Sequence, residues 1–167
     1  KEEHLIERDL IEKKFSFFIN NKPSFIFIIF KFLINFSIMF LGALFAIYIL
    51  RTLNMSNLVL GYCGASWWAG NIISSKYWGK LSKLYSNIHI LKITTIFLSI
   101  LPVYWILIYY FADYKFLYLI ILFLSFIAGI IFAGFSLCTF NIVYEIVEKN
   151  DVVKYTSLLR FSEGLGV

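Results

Sequence analysis

"FIFIIFKFLINFSIMFLGALFAIYIL", residues 25–50, is a run of 26 residues whose single charge is Lys31. Wound as an α-helix at 1.5 Å per residue it reaches about 39 Å, more than the ~30 Å hydrocarbon core of a bilayer. Pro23 stands just ahead of it, where the first turn of a helix tolerates a missing N–H. Arg51 closes the run, and "RTLNMSN" turns the chain. The pattern then repeats. A second span is expected over 58–78 and a third over 93–111, the latter carrying Pro102, which predicts a kink. A fourth covers 116–143, and an incomplete fifth opens at Tyr155 and runs to Val167.

The totals agree with this reading. The chain has 167 residues, 60% of them hydrophobic and only 15% charged, where a soluble domain carries about 25% charged residues. The 20% aromatic share is more than one water-facing fold hides. The expected fold is all-α: a polytopic membrane helix bundle with four complete transmembrane helices and the start of a fifth. Residues 1–22 are expected to be a polar cytoplasmic linker, and residues 23–167 the bundle. The chain is read as a piece of a longer polypeptide.

Orientation comes from "SSKYWGKLSKLYSNIHILK", Ser74–Lys92, which carries four lysines and no acid. Counting alternate loops as one compartment puts Lys1, Arg8, Lys13, Lys14 and Lys22 on one side. The same side takes Lys76, Lys80, Lys83, Lys92, Lys149, Lys154 and Arg160. Arg51 and Lys115 fall on the other. Cytoplasmic loops hold the excess of Lys and Arg, so residues 1–22 and 79–92 are expected in the cytoplasm and the turns at 51–57 and 112–115 outside. The formal net charge of +5 gathers at span ends, not along a groove, which does not suit a nucleic acid. Twelve Lys against three Arg is the usage of an A+T-rich genome, read as bacterial.

Polar residues inside the spans are the candidate functional groups. Lys31 lies about 9 Å into the first span and is read as snorkelling to the interface, the alternative being a buried functional cation. Asn35, Ser66, Trp67 and Asn71 are candidates for a solute pathway, weighed against plain interior packing. Small residues at four-residue spacing let membrane helices approach closely. Two such ridges lie in the second span, Gly61–Ala65–Ala69 and Ser66–Gly70–Ser74, and one in the fourth, Ser125–Gly129–Ala133. "GIIFAGFS", Gly129–Ser136, has the glycine spacing of a phosphate-binding loop but puts Phe135 where lysine is needed, so it reads as a packing surface. Cys63 and Cys138 read as membrane-buried thiols, and no metal or cofactor is expected. Glu145 and Glu148 read as solvated at a cytoplasmic helix end.

Three stretches together resemble the major facilitator superfamily, in its carboxy-terminal six-helix half: "YWGKLSKLYSN" (Tyr77–Asn87), "LPVYW" (101–105) and "FNIVYEIVEKNDVVKY" (Phe140–Tyr155). The resemblance makes the spans helices seven to eleven of a twelve-helix transporter. Trp78 and Gly79 fit the family's short basic loop, but Lys83 stands where the family places an acid, Leu84 where it places a base, and Ser86 where it places a second glycine. The resemblance implies alternating-access transport of a small solute across the cytoplasmic membrane, with proton or sodium coupling, no cofactor and no covalent chemistry. It implies a cytoplasmic gate at Trp78, Gly79, Lys80, Asn141 and Glu145, and a proton-coupling acid, if any, outside these spans. The partners expected are the solute, the lipid bilayer and the rest of the polypeptide. A non-transporting structural or sensor protein of the same fold is the alternative. A polytopic enzyme on a lipid-linked substrate ranks below it, because the outer turns are too short to build a site.

Overall fold

The structure is a computed structural model and describes residues 22–108, 110, 116–147 and 151–165. The expected linker up to residue 21, the 112–115 turn and Glu148 lie outside the described residues. The described residues form helices and no strand. These are α1 (Lys22–Ile47), α2 (Asn57–Leu84), α3 (Asn87–Ile108), α4 (Leu117–Ile146) and α5 (Val152–Leu165).

The first run does not stop at Leu50 as expected. It widens into a π-helical turn, Tyr48–Thr52, in which the Leu53 N–H reaches the Tyr48 carbonyl at 3.1 Å. Arg51 lies in that turn, exposed. The chain then reverses at Asn54, whose φ of 50° is the left-handed conformation that asparagine accepts more readily than most residues. The turn over residues 51–57 is thus where the sequence puts it, reached by a longer helix.

Among the described residues three helices are long and apolar enough to cross a membrane: Lys22–Thr52, Asn87–Ile108 and Leu117–Ile146, with 31, 22 and 30 residues. Each exceeds ~30 Å at 1.5 Å per residue. The apolar part of the first is only 6% buried within the chain and that of α3 only 17%. These surfaces need hydrocarbon or further protein around them, as a membrane-embedded chain requires. Pro102 sits inside α3, and the helix continues past it to Ile108.

α2 is different. Its 28 residues are enough to span, yet its Gly, Ser, Asn and Trp content leaves it less apolar than the other three. It also runs past residue 78, where the sequence suggested a loop. α2 continues to Leu84 and α3 begins at Asn87, so only Tyr85 and Ser86 join them. Lysine has good helix propensity and its charge does not end a helix. The helix ends at Tyr85, which adopts an extended conformation (φ −120°, ψ 152°).

Contacts group the described residues into two units: those up to Phe40 with those from Val143 onward, and Leu41–Ile142. In the second unit α2 and α4 run parallel. Ser66 Oγ donates to the Leu122 carbonyl at 2.8 Å and Ser74 Oγ to the Ile130 carbonyl at 3.5 Å, both 56 residues apart in sequence. α3 runs antiparallel to α4: Asn141 Nδ2 near the end of α4 donates to Asn87 Oδ1 at the start of α3 at 3.2 Å. At the opposite end Ile49, Cys63, Ile108, Leu117 and Ile121 form a buried cluster, and Phe45 packs on Trp105 with ring centroids 4.1 Å apart.

The α2–α4 seam is made by the ridges Ser66–Gly70–Ser74 and Ser125–Gly129–Ala133. A Cβ on Gly70 would overlap the Phe126 carbonyl, and one on Gly129 the Trp67 carbonyl, so only glycine allows the backbones this close. The other ridge of α2 has no such role. Gly61, Ala65 and Ala69 are exposed, and a Cβ on Gly61 would meet nothing within 4 Å. "GIIFAGFS" is a packing surface as read: Gly129 faces α2, and a Cβ on Gly134 would stand 2.6 Å from the Trp78 indole.

In the first unit α5 lies along the early part of α1. Tyr155 Oη donates to the Ser24 carbonyl at 2.9 Å, and further along both helices Asn35 Nδ2 donates to the Glu163 carbonyl at 3.2 Å. Low numbers meet low and high meet high, so these two helices are parallel.

Candidate functional site

α5 presents Tyr155, Leu159 and Glu163 at four-residue spacing, one helical face, and the first two are buried. α1 offers Ser24, Phe27, Lys31 and Asn35 at spacings of three and four, of which Ser24 and Phe27 are buried. The two stripes meet, and their upper ends are ionic. Lys31 Nζ lies 2.7 Å from Glu163 Oε1, with the two side chains only 11% and 12% exposed. Arg160, one turn earlier on α5, bonds the other carboxylate oxygen at 3.1 Å from a side chain 73% exposed.

Lys31, read from the sequence as snorkelling, has an ion-pair partner within the described residues. Its ammonium is held inside the unit by a carboxylate on another helix. Glu163 stands in α5 beside Lys31, a carboxylate within the helices of this chain. The sequence reading passed over Glu163: it lies in a short terminal segment next to Arg160, and an i,i+3 acid–base pair reads as a solvated face. The available signal was a lysine within the apolar α1 and a glutamate at a similar distance from the start of α5.

A carboxylate between two cations has one oxygen for each. If α1 and α5 shift, Glu163 can release Lys31 and keep Arg160, which shares its helix. Asn35, bonded to the backbone of the same glutamate, ties the two helices one turn further along.

The other pathway candidates sit on the α2–α4 seam. The Ser66 hydroxyl serves the Leu122 carbonyl. The Trp67 ring lies 4.9 Å from Trp68 and 5.0 Å from Phe132, centroid to centroid. Asn71 borders Gly129 through its backbone N–H, and its carbonyl accepts from Ser74 Oγ at 3.3 Å. The structure groups Ser66, Trp67 and Asn71 together and places Asn35 with the ion pair in the other unit.

Of the gate candidates, Trp78 is anchored on α4, its Nε1 donating to the Ile130 carbonyl at 2.7 Å. Gly79 has open space where a side chain would be, and Lys80 is exposed. Asn141 holds Asn87, and Glu145, one turn later on α4, is exposed. Cys63 and Cys138 are buried.

No family model matches the chain, and neither a curated protein nor a solved structure matches it.

Proposed function

We propose that this chain is part of the carboxy-terminal half of a secondary transporter of the major facilitator type, with α1 to α5 as helices seven to eleven. In this reading all of α1 to α4 cross the membrane. The parallel pairing of α2 with the apolar α4 supports a crossing by α2 despite its polar content. The parallel pairing of α1 with α5 supports it again, because an odd number of crossings lies between two helices that start on one side, and α3 with α4 alone would give two.

The observation that carries a transport role is the Lys31–Glu163 pair. Ionisable residues in membrane spans are costly and mark solute, ion or proton routes. A pair that joins two helices can break and re-form as those helices move, which alternating access requires. The solute binds in a cavity that this chain completes with the rest of the polypeptide, and Glu163 is the coupling acid on this side of it.

The test is uptake of radiolabelled sugars, amino acids and small carboxylates into vesicles containing the full-length protein, with and without an imposed proton gradient. Gradient-driven accumulation of one solute class is expected, and Glu163→Gln should lower it at least tenfold while leaving protein in the vesicle. No accumulation of any class would favour the non-transporting alternative, to which Lys83 in place of the family's acid points.

Orientation has its own test. Cysteines introduced at Leu53 and Asp113 should react with an impermeant thiol reagent in intact cells, and one at Lys83 should not. The native Cys63 and Cys138 are buried and give little background. The opposite pattern would invert the topology and remove the transporter reading.

A further inference from the structure

Lys76, Lys80 and Lys83 follow one another at spacings of four and three, so they share one face of α2. At 100° per residue they fall within a 60° arc, and over seven residues they form a stripe about 10 Å long. The same arithmetic puts Ser74 and Trp78, which bind α4, on the opposite side of the helix. All three lysines are exposed, as is Lys92 on the second turn of α3. Among the described residues none of the four pairs with a carboxylate. The segment from Ser74 to Lys92 contains no acid of its own. Tyr77, next to Lys76 in sequence, and Tyr85, just past the helix end, are 63% and 56% exposed, and tyrosine is a residue type that settles at the headgroup level of a bilayer.

We infer that this stripe binds the phosphates of acidic phospholipids in the cytoplasmic leaflet. Flexible lysine stems reach several phosphates without fixed geometry. The helical continuation of α2 to Leu84 is what makes the site. A loop there would scatter the charges, but the helix stacks them in one row. The binding is independent of any transport activity and needs only that this end of α2 meets the inner leaflet.

The full-length protein is placed in nanodiscs of phosphatidylcholine doped with a photoactivatable phosphatidylglycerol, and crosslinking to the Ser74–Lys92 peptide is quantified. Each lysine near an anionic surface strengthens binding about fivefold, so the triple variant K76Q/K80Q/K83Q should lose at least tenfold of the crosslink. The triple arginine variant should keep it, and raising the salt from 0.1 M to 1 M should weaken it, as screening of an exposed charge demands. Equal crosslinking of the glutamine variant, or of a phosphatidylcholine probe, would overturn the inference. So would full competition by millimolar glycerol phosphate, which would assign the stripe to a soluble phosphate instead. Loss of crosslink in the arginine variant to the level of the glutamine one would show that packing, not charge, is at work.

Discussion

Glu163→Ala will destabilise the full-length protein by about 3–5 kcal/mol, the range for removing one partner of a buried ion pair. The Lys31 and Glu163 side chains are only 11% and 12% exposed, so solvent screens the remaining charge poorly. Without the carboxylate, Lys31 loses its partner across to α5 and Arg160 loses its bond to Glu163. Lys31→Ala should cost somewhat less, since Arg160 still neutralises Glu163. The informative variant is the double one, K31M/E163M. It removes both charges and fills similar volume, so it should recover most of the loss, as apolar replacements of buried pairs do. Thermal unfolding in detergent, followed by fluorescence, measures all three. If the double variant is no more stable than Glu163→Ala, the two residues do not act as a pair. In the uptake assay the double variant should stay inactive although stable, which separates the pair's part in a transport cycle from its part in folding.

Gly129→Ala is expected to disrupt the α2–α4 seam, and Gly61→Ala to leave the protein intact. The new methyl at 129 would overlap the backbone carbonyl of Trp67, which cannot rotate away as a side chain could. The helices must separate, and overpacking of this kind costs about 1–3 kcal/mol or more. Separation would also lengthen the hydrogen bonds from Ser66 to Leu122 and from Trp78 to Ile130. At Gly61 the added methyl meets open space, and alanine's better helix propensity gives up to about 1 kcal/mol of local stabilisation. Protease resistance and monodispersity of the two purified variants provide the comparison. Equal behaviour of the two would mean that the close approach at Gly129 does not hold the bundle.

These experiments bear on parts of the protein that were legible to very different degrees. Helix identity and the membrane class followed from hydrophobic length, because a 26-residue apolar run leaves few other outcomes. The Ser66–Gly70–Ser74 and Ser125–Gly129–Ala133 ridges were also readable, since small residues at four-residue spacing announce a close approach. The equally regular Gly61–Ala65–Ala69 ridge lies exposed in the described chain. Spacing says that a face can pack, and it does not say which face does.

Helix ends were less legible. Charge was taken as the end of a span at Arg51 and around residue 78, but a helix continues as long as its backbone bonds do. It gave way at Asn54 and Tyr85, where the backbone conformation changes.

Sequence alone determined that the chain is a set of apolar helices with its cations gathered at their ends, because burial in hydrocarbon depends on composition and length. Tertiary structure alone decided that Lys31 meets Glu163. Those residues are 132 positions apart, and their pairing depends on α1 and α5 lying parallel in register, which no local pattern encodes. The energy of a buried charge is set by what stands within about 3 Å of it, and only folding fixes that neighbour.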